Sequence, residues 1–439
     1  MRRDMLSVLG IKIGSVVAGF LGFAVLSNVL DVQAYGLFAT MFSAALFMSI
    51  PLMGGLNFSL VRHLADVSGN LALCRRLIGL AMLRMARYFA AAVGLAVLVY
   101  AAAMIFAPER LAAIGAGLGL ASVLALAGIY AASEVTQSVI RVFDGSVRAF
   151  APREMIWRAS FFAVAGLAAL SPLFQAPWVV VALIALALAV VVLAQVGTSS
   201  VYRASAAPAG AADALLIDAD IRRSSFGFLL VGLLSTSTQH LIVLLSALVL
   251  TAVDTAHFFN AFKLMQVLAL SIFAVNFVLA PRLRGLAGAG ASDFAAVSKV
   301  CITGAWFNTL FSLAGIAVFA VAGGWMLSLF GADYGDDKGL LLLLCLAALI
   351  NAATGPAGFV LVMFDLQRQF NVISAVSIAV GAAVAAVMGW LYGLTGFAAG
   401  YVVWAVVQNL STAGLCWLRL GVNSTILGIP KVSVMRRVK

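Results

Sequence analysis

The chain has 439 residues, of which 64% are hydrophobic and 10% are charged, and its mean hydropathy is +1.13. A soluble protein carries about 25% charged residues, so this composition excludes an ordinary soluble domain. The apolar residues form runs of about twenty, long enough for a helix to cross a hydrocarbon core of about 30 Å. Because the runs do not alternate as barrel strands do, the sequence predicts an all-α polytopic membrane protein.

In chain order, the apolar runs predict twelve membrane-spanning helices. They cover residues 7–30, 37–59, 88–107, 112–139, 159–176, 178–198, 226–250, 262–280, 300–329, 339–363, 371–391 and 396–418. The first run lacks a small-x-small cleavage site and is long enough to span, so it is predicted to be an uncleaved helix. The four cysteines stand singly, which indicates neither a disulfide framework nor a metal site, and no motif indicates a cofactor.

The connection after the first helix contains the stretch DVQAYG, which is predicted to be a short extracytoplasmic turn that binds no ligand. Asp31 is a typical N-cap residue for the helix that follows. Within the first helix, Gly10, Gly14, Ala18 and Gly22 recur every four residues. Such a stripe of small residues predicts close packing against another helix.

The connections between predicted helices alternate in charge. Those with odd numbers are short and nearly free of Lys and Arg, whereas those with even numbers are basic. With a cytoplasmic N-terminus, all of the 27 Lys and Arg residues except Arg110, Lys263 and Lys338 fall on the cytoplasmic side or in adjacent helix turns. Both termini are therefore predicted to be cytoplasmic. The net charge of +11 reflects this topology rather than a nucleic-acid surface, because the charges lie in short loops without interleaved aromatic residues.

A polar connection near the middle of the chain divides it into two halves. The predicted domains are an N-terminal six-helix bundle (1–201), a cytoplasmic linker (202–225), a C-terminal six-helix bundle (226–420) and a basic cytoplasmic tail (421–439). The linker is rich in Ala, Pro and Gly, so no packed element is predicted there. The second half matches the first weakly at an offset of about 220 residues, which aligns Arg62 with Arg282 and suggests the parallel repeats of some secondary transporters.

Several stretches carry a family resemblance. Residues 26–66 read LSNVLDVQAYGLFATMFSAALFMSIPLMGGLNFSLVRHLAD. They resemble the first helical hairpin of Wzx-type polysaccharide flippases in the multidrug/oligosaccharidyl-lipid/polysaccharide (MOP) superfamily. The later motifs GADY, NAATGPAG and YGLTGFAAGYVVW are similar to that family as well, and the resemblance covers about residues 1–420.

The resemblance implies a MATE-like fold of two six-helix bundles around a cavity that opens alternately to each side. It also implies a substrate, an undecaprenyl-diphosphate-linked oligosaccharide that moves from the cytoplasmic to the periplasmic leaflet of a bacterial inner membrane. The expected process is lipopolysaccharide or exopolysaccharide biosynthesis. The expected partners are the lipid-linked oligosaccharide, the lipid bilayer and a polysaccharide polymerase with its chain-length machinery.

Such a substrate needs cationic and polar side chains inside the membrane, where each charge costs roughly 2.5–3.5 kcal/mol near the bilayer centre. The candidates for lining a substrate cavity are Lys12, Arg62, His240, Lys263 and Arg282, and the candidate coupling residue is Glu134. Lys12 can instead snorkel to the headgroups, and Arg62 and Arg282 can be topological anchors. His240 can be a packing hydrogen-bonder, and Glu134 can neutralise nearby arginines.

The sequence is also compatible with other functional classes. A MATE-like cation-coupled multidrug antiporter would couple through an intramembrane carboxylate, for which Glu134 is the sole candidate in the predicted spans. A membrane-embedded polymerase or ligase would need a large periplasmic loop and a catalytic set, and neither is predicted, so an enzyme is not expected. The sequence contains no nucleotide-binding motif, so ATP-driven transport is not expected. A non-transporting scaffold is a further alternative.

Overall fold

The computed structural model describes residues 2–106, 116–203, 211–288 and 294–428, and the regular elements in these ranges are all helical. The chain divides into two compact units, Met1–Leu244 (unit 1) and Leu245–Lys439 (unit 2). The boundary falls later than the linker at 202–225 that the sequence suggests.

Unit 1 contains ten helices and most of an eleventh within the described ranges. They are α1 Arg2–Val29, α2 Val32–Met53, α3 Leu56–Asp66, α4 Leu71–Phe106, α5 Ala116–Phe143, α6 Ser146–Ala151, α7 Arg158–Leu170, α8 Pro177–Thr198, α9 Ser200–Arg203, α10 Ala211–Val231 and α11 Thr238–Val249, which crosses the unit boundary. Two π-helical segments, Pro152–Trp157 and Gly232–Thr236, join α6 to α7 and α10 to α11, and a 3₁₀ turn covers Pro172–Phe174.

Unit 2 contains six further helices in the described residues. They are α12 Ala252–Met265, α13 Ala269–Gly288, α14 Phe294–Ser328, α15 Lys338–Thr354, α16 Ala357–Met363 and α17 Gln367–Leu420. Two 3₁₀ segments, Gln266–Leu268 and Ala332–Asp337, precede α13 and α15. After α17 the chain folds back onto the end of α15. Ser424 Oγ donates to Thr354 O at 2.8 Å, and Ile426 N donates to Ala353 O at 3.0 Å. The first part of the predicted tail is therefore packed, and residues 429–439 lie outside the described residues.

The helix lengths support a membrane-spanning chain, with fewer candidate spans among the described residues than the twelve predicted. Nine helices of the described residues are long and apolar enough to cross a membrane, and ten if the bent pair Leu216–Leu234 and Thr238–Val249 is one span. The 54-residue helix α17 covers both the eleventh and the twelfth predicted spans, with a break at Gly393 (φ 62°, ψ −147°). The predicted fifth span corresponds to α7, which has only 13 residues because the π segment precedes it.

The first turn follows from its sequence. The side chain of Asp31 accepts a hydrogen bond from Ala34 N at 2.9 Å and caps α2, so the predicted cap is confirmed. The predicted second span is broken in two at Gly54 and Gly55, whose φ values of 56° and 76° are favourable only for glycine. A Cβ on Gly55 would lie 2.1 Å from Ser225 O, so no larger residue fits between α3 and α10.

The predicted linker differs from the structure in its second part. Residues 211–225 belong to α10, whereas 204–210 lie outside the described residues. The stretch AADALLIDADIRR is rich in alanine, the best helix former, and it buries Ile221 completely. Asp218 Oδ1 accepts from Arg84 Nη2 at 2.5 Å and so ties α10 to α4. Alanine content is thus better evidence for a packed helix here than for a linker.

The small-residue stripe of α1 packs against the segment that contains α7. A Cβ on Gly14 would lie 3.2 Å from Met155 Sδ, and a Cβ on Gly22 would lie 2.8 Å from Phe161 Cβ. The predicted close packing is confirmed at these two positions. At Gly10 an added Cβ would meet nothing within 4 Å, so the stripe does not extend that far.

We predict that Gly22→Ala destabilises the protein by about 1–3 kcal/mol, because the added methyl group overpacks the contact with Phe161. The measurement is thermal unfolding of the purified protein in detergent. Gly10→Ala is the matched control on the same helix, and its melting temperature should equal or slightly exceed that of the wild type. Equal melting temperatures for the two variants would contradict the packing role of Gly22.

Candidate functional site

Four charged side chains of unit 1 form one ionic network, two of them buried and two partly exposed. Lys12 lies on α1, Glu134 lies on α5, and Arg153 and Glu154 are neighbours in the π-helical segment Pro152–Trp157. Arg153 and Glu154 are each only 6% exposed. Burying unpaired charges costs several kcal/mol each, so their pairing across three elements is a strong constraint on the packing of unit 1.

Glu154 is held by three donors. Its Oε1 pairs with Lys12 Nζ and lies 3.4 Å from Arg153 Nη2, and its Oε2 accepts a hydrogen bond from Ser15 Oγ at 2.5 Å. Lys12 and Ser15 are three residues apart on α1, and this spacing places both side chains on one helix face. The Nζ of Lys12 also lies 5.3 Å from the centre of the Phe150 ring.

Arg153 joins the two carboxylates. Its Nη1 pairs with Glu134 Oε1, and its guanidinium carbon lies 5.1 Å from the centre of the Tyr130 ring. Tyr130 and Glu134 are four residues apart on α5, so both contacts come from one face of that helix. With two cations and two carboxylates, the network is neutral in this conformation.

The π-helical segment is anchored by its last residue, Trp157. Its indole Nε1 donates to Ile184 O at 3.0 Å, and its ring packs edge-on against Phe161, with the centroids 5.6 Å apart. The segment begins at Pro152, which has no backbone N–H to continue a regular ladder. Such π-helical turns often mark functional sites.

A cavity of about 150 Å³ lies beside the network, within unit 1. Its polar lining consists of Ser49, Asn57, Tyr130, Glu134, Gln239 and His240. Glu134 therefore belongs to both the network and the cavity, and its side chain is 23% exposed. Gln239 Nε2 lies 3.3 Å from His240 Nε2. The second π-helical segment, Gly232–Thr236, also contributes to the lining, through Gly232.

The structure brings together only some of the side chains that the sequence suggests. Lys12 and Glu134 meet through Arg153 and Glu154, and Glu134 and His240 share the cavity. Arg62 is exposed on α3. In unit 2, Lys263 Nζ lies 3.3 Å from Gln266 Oε1 and 5.1 Å from the centre of the Phe259 ring.

Arg282 lies on α13, but its side chain is outside the described residues. Direct contact of any of the predicted residues with a substrate stays a prediction.

Arg153, Glu154 and Ser15 also belong to the network, although the sequence pattern does not single them out. The sequence predicts a connection at residues 140–158, whereas 146–170 form a nearly continuous helical run. Glu134 stays the one carboxylate predicted inside a span, and Glu154 is a further carboxylate that is buried in the π-helical segment. A signal was available, since Glu154 is the one acidic residue between Asp144 and Asp213, in a stretch that contains several arginines.

Comparisons with known proteins agree on the fold. No protein-family model and no curated protein matches the chain. An inward-facing multidrug-resistance MATE family transporter of the MOP superfamily is similar over 94% of this chain and 98% of its own, with 14% identity and a TM-score of 0.66.

The lipid II flippase MurJ, in an inward closed conformation, is similar over 93% of this chain and 87% of its own, with 11% identity and a TM-score of 0.65. MATE in a straight conformation gives 13% identity and a TM-score of 0.57, with 95% of each chain covered. The chain therefore has the MATE-like helical fold, and the predicted all-α fold class is confirmed, whereas the cytoplasmic location of both termini stays a prediction.

We predict that Arg153→Gln lowers the free energy of unfolding by about 3–5 kcal/mol, because it leaves Glu134 and Glu154 with one cation between them in a buried site. Thermal unfolding in detergent measures the loss. Arg62→Gln, which removes an exposed arginine from the same unit, is the control and should unfold like the wild type.

The double variant Arg153→Gln with Glu134→Gln restores charge balance, so it should recover part of the stability lost in the single variant. A double variant that is less stable than Arg153→Gln would contradict the pairing of Arg153 with Glu134.

Proposed function

We propose that the protein is a membrane transporter that flips an undecaprenyl-diphosphate-linked oligosaccharide from the cytoplasmic to the periplasmic leaflet of a bacterial inner membrane by alternating access. The fold supports this proposal, because it is shared with a MATE transporter and with a lipid II flippase. The sequence motifs that resemble Wzx-type flippases favour a lipid-linked oligosaccharide over other cargo. No chemical transformation of the substrate is proposed.

The observation that carries the proposal is the pair of cations in the ionic network of unit 1, of which Arg153 is buried and Lys12 is partly exposed. A diphosphate headgroup cannot cross hydrocarbon unless positive groups and hydrogen-bond donors replace its water. Lys12 and Arg153 supply two positive charges in an interior where each charge is costly. Guanidinium and ammonium groups also form the strongest hydrogen bonds to phosphate oxygens.

The neighbouring cavity suits the sugar part of the substrate. Sugars present many hydroxyl groups, and the cavity wall offers the phenol of Tyr130, the amide of Gln239 and the imidazole of His240 as partners. We also propose that Lys263 in unit 2, and Arg62 and Arg282 at matching places in the two halves of the sequence, contact the anionic substrate. A polymerase with its chain-length machinery would take the flipped product.

A MATE-like cation-coupled antiporter is the second candidate. The observation in its favour is Glu134, a carboxylate that lines the cavity and is 23% exposed. An exposed carboxylate in a cavity can take up a proton or attract a cationic drug. Its pairing with Arg153 neutralises that charge in this conformation, which favours the flippase.

We predict that deletion of the gene causes lipid-linked oligosaccharide to accumulate in the cytoplasmic leaflet and abolishes the surface polymer. Leaflet-selective labelling and polymer blots provide the measurement. Normal surface polymer in a strain without a redundant flippase would refute the flippase. Ion-gradient-dependent efflux of a cationic dye from vesicles, lost in Glu134→Gln, would establish the antiporter instead.

We predict that, in the deletion strain, Lys263→Ala restores surface polymer several-fold less well than the wild-type gene at equal protein abundance. The reason is that the variant lacks a cation that is proposed to bind the anionic substrate. Lys338→Ala is the matched control in the same unit, since the Nζ of Lys338 contacts a backbone oxygen, Ala320 O, at 3.1 Å on the exposed surface. If the abundance of Lys263→Ala falls in step with its activity, Lys263 is structural.

A further inference from the structure

The three donors around Glu154 form an unusual set for a structural carboxylate. They are an ammonium group, a guanidinium group and a hydroxyl group, contributed by Lys12, Arg153 and Ser15 from two separate elements. Proteins use these same three groups to hold phosphoryl oxygens, because the cations supply charge and the hydroxyl supplies a directed hydrogen bond. Glu154 therefore lies where a phosphoryl group would find its ligands.

The net charge of the network changes when Glu154 leaves its three donors. The network is neutral with both carboxylates present, and without Glu154 it carries one net positive charge. Arg153 stays oriented, because Glu134 and the ring of Tyr130 hold it from α5. Lys12 is 28% exposed, so an anion can approach the donor set from its side.

We propose that Lys12, Ser15 and Arg153 form a diphosphate-binding site, and that Glu154 occupies this site as an internal counter-ion until the anionic group displaces it. The identity of that group as a lipid headgroup rests on the proposed function. The exchange involves no covalent step: the Glu154 carboxylate gives up its three donors, and the diphosphate oxygens take them.

An internal competitor suits a transporter, which must release what it binds. A bare pair of buried cations would hold a diphosphate tightly and would also destabilise the unloaded protein. Glu154 removes both problems, because it neutralises the cations before loading and competes for them during release. Glu154 is thus a positioning residue that tunes affinity, whereas Lys12, Ser15 and Arg153 touch the anion.

The test measures diphosphate affinity of the full-length protein in detergent, with inorganic pyrophosphate and farnesyl diphosphate as two separate probes. Glu154→Gln keeps the shape of the side chain and removes its charge, so both probes should bind roughly tenfold more tightly. Lys12→Gln in the Glu154→Gln background should reverse the gain. Asp218→Asn is the matched control, since Asp218 is a buried carboxylate of the same unit that pairs with Arg84, and affinity should stay unchanged.

A gain in affinity separates this proposal from a structural role, because damage to the fold lowers affinity. Unchanged or weaker binding in a Glu154→Gln protein with wild-type thermal stability would overturn the proposal. If Glu154→Gln does not fold, Glu154→Asp provides the second variant, because its shorter carboxylate reaches the three donors less well and competes less with a diphosphate, so both probes should bind more tightly. Binding there that is no tighter than in the wild type would overturn the proposal as well.

The two probes separate the site from the function. Tighter binding of both probes by Glu154→Gln, together with no lipid-linked oligosaccharide transport by the wild-type protein in cells, would support the site and refute the flippase. Full transport in cells by a Glu154→Gln protein with unaltered affinity for both probes would refute the site and leave the flippase standing. Tighter binding of pyrophosphate alone would support a diphosphate site but overturn its assignment to a lipid headgroup.

Discussion

The pairing of Arg153 with two carboxylates is the interaction on which the arrangement of unit 1 depends. A guanidinium group that is almost fully buried is tolerated only if nearly all of its charge is compensated. Glu134 and Glu154 provide this compensation, and Lys12 balances the second carboxylate. Because these groups come from α1, α5 and the π-helical segment, the three elements cannot shift independently without separating a buried pair.

The apolar contacts around the network serve the same geometry. Gly14 and Gly22 let α1 approach Met155 and Phe161 closely, which brings Lys12 within reach of Glu154. Trp157 anchors the other side of the segment through its hydrogen bond to Ile184. Specificity of packing therefore comes from glycine and aromatic contacts, whereas the chemistry comes from the charges that these contacts align.

The neutral state of the network bears on both candidate functions. A flippase for a diphosphate needs cations that are available in one state and compensated in another, and the internal carboxylates provide the compensated state in this structure. An antiporter needs a carboxylate in contact with a cavity, and Glu134 meets that requirement. The fold is shared with transporters of both kinds, so the side chains of the site have to decide between them.

Part of the candidate site was readable from the sequence. Lys12, Glu134 and His240 were identified because charged and strongly polar side chains are conspicuous in apolar runs. Arg153 and Glu154 were not, because a cluster of arginines next to an apolar run has the same composition as a cytoplasmic loop. The π-helical segment also carries no periodic signal that would extend the predicted fifth helix backwards to residue 146.

The sequence alone determined the all-helical membrane class and the capped turn at Asp31, because the bilayer acts on each segment separately and local hydropathy records that requirement. Only the tertiary structure decided which charges meet. Lys12 and Glu154 are separated by 142 positions, and Glu134 and Arg153 by 19. Ion pairing depends on the distance between segments, and no local pattern of residues encodes that distance.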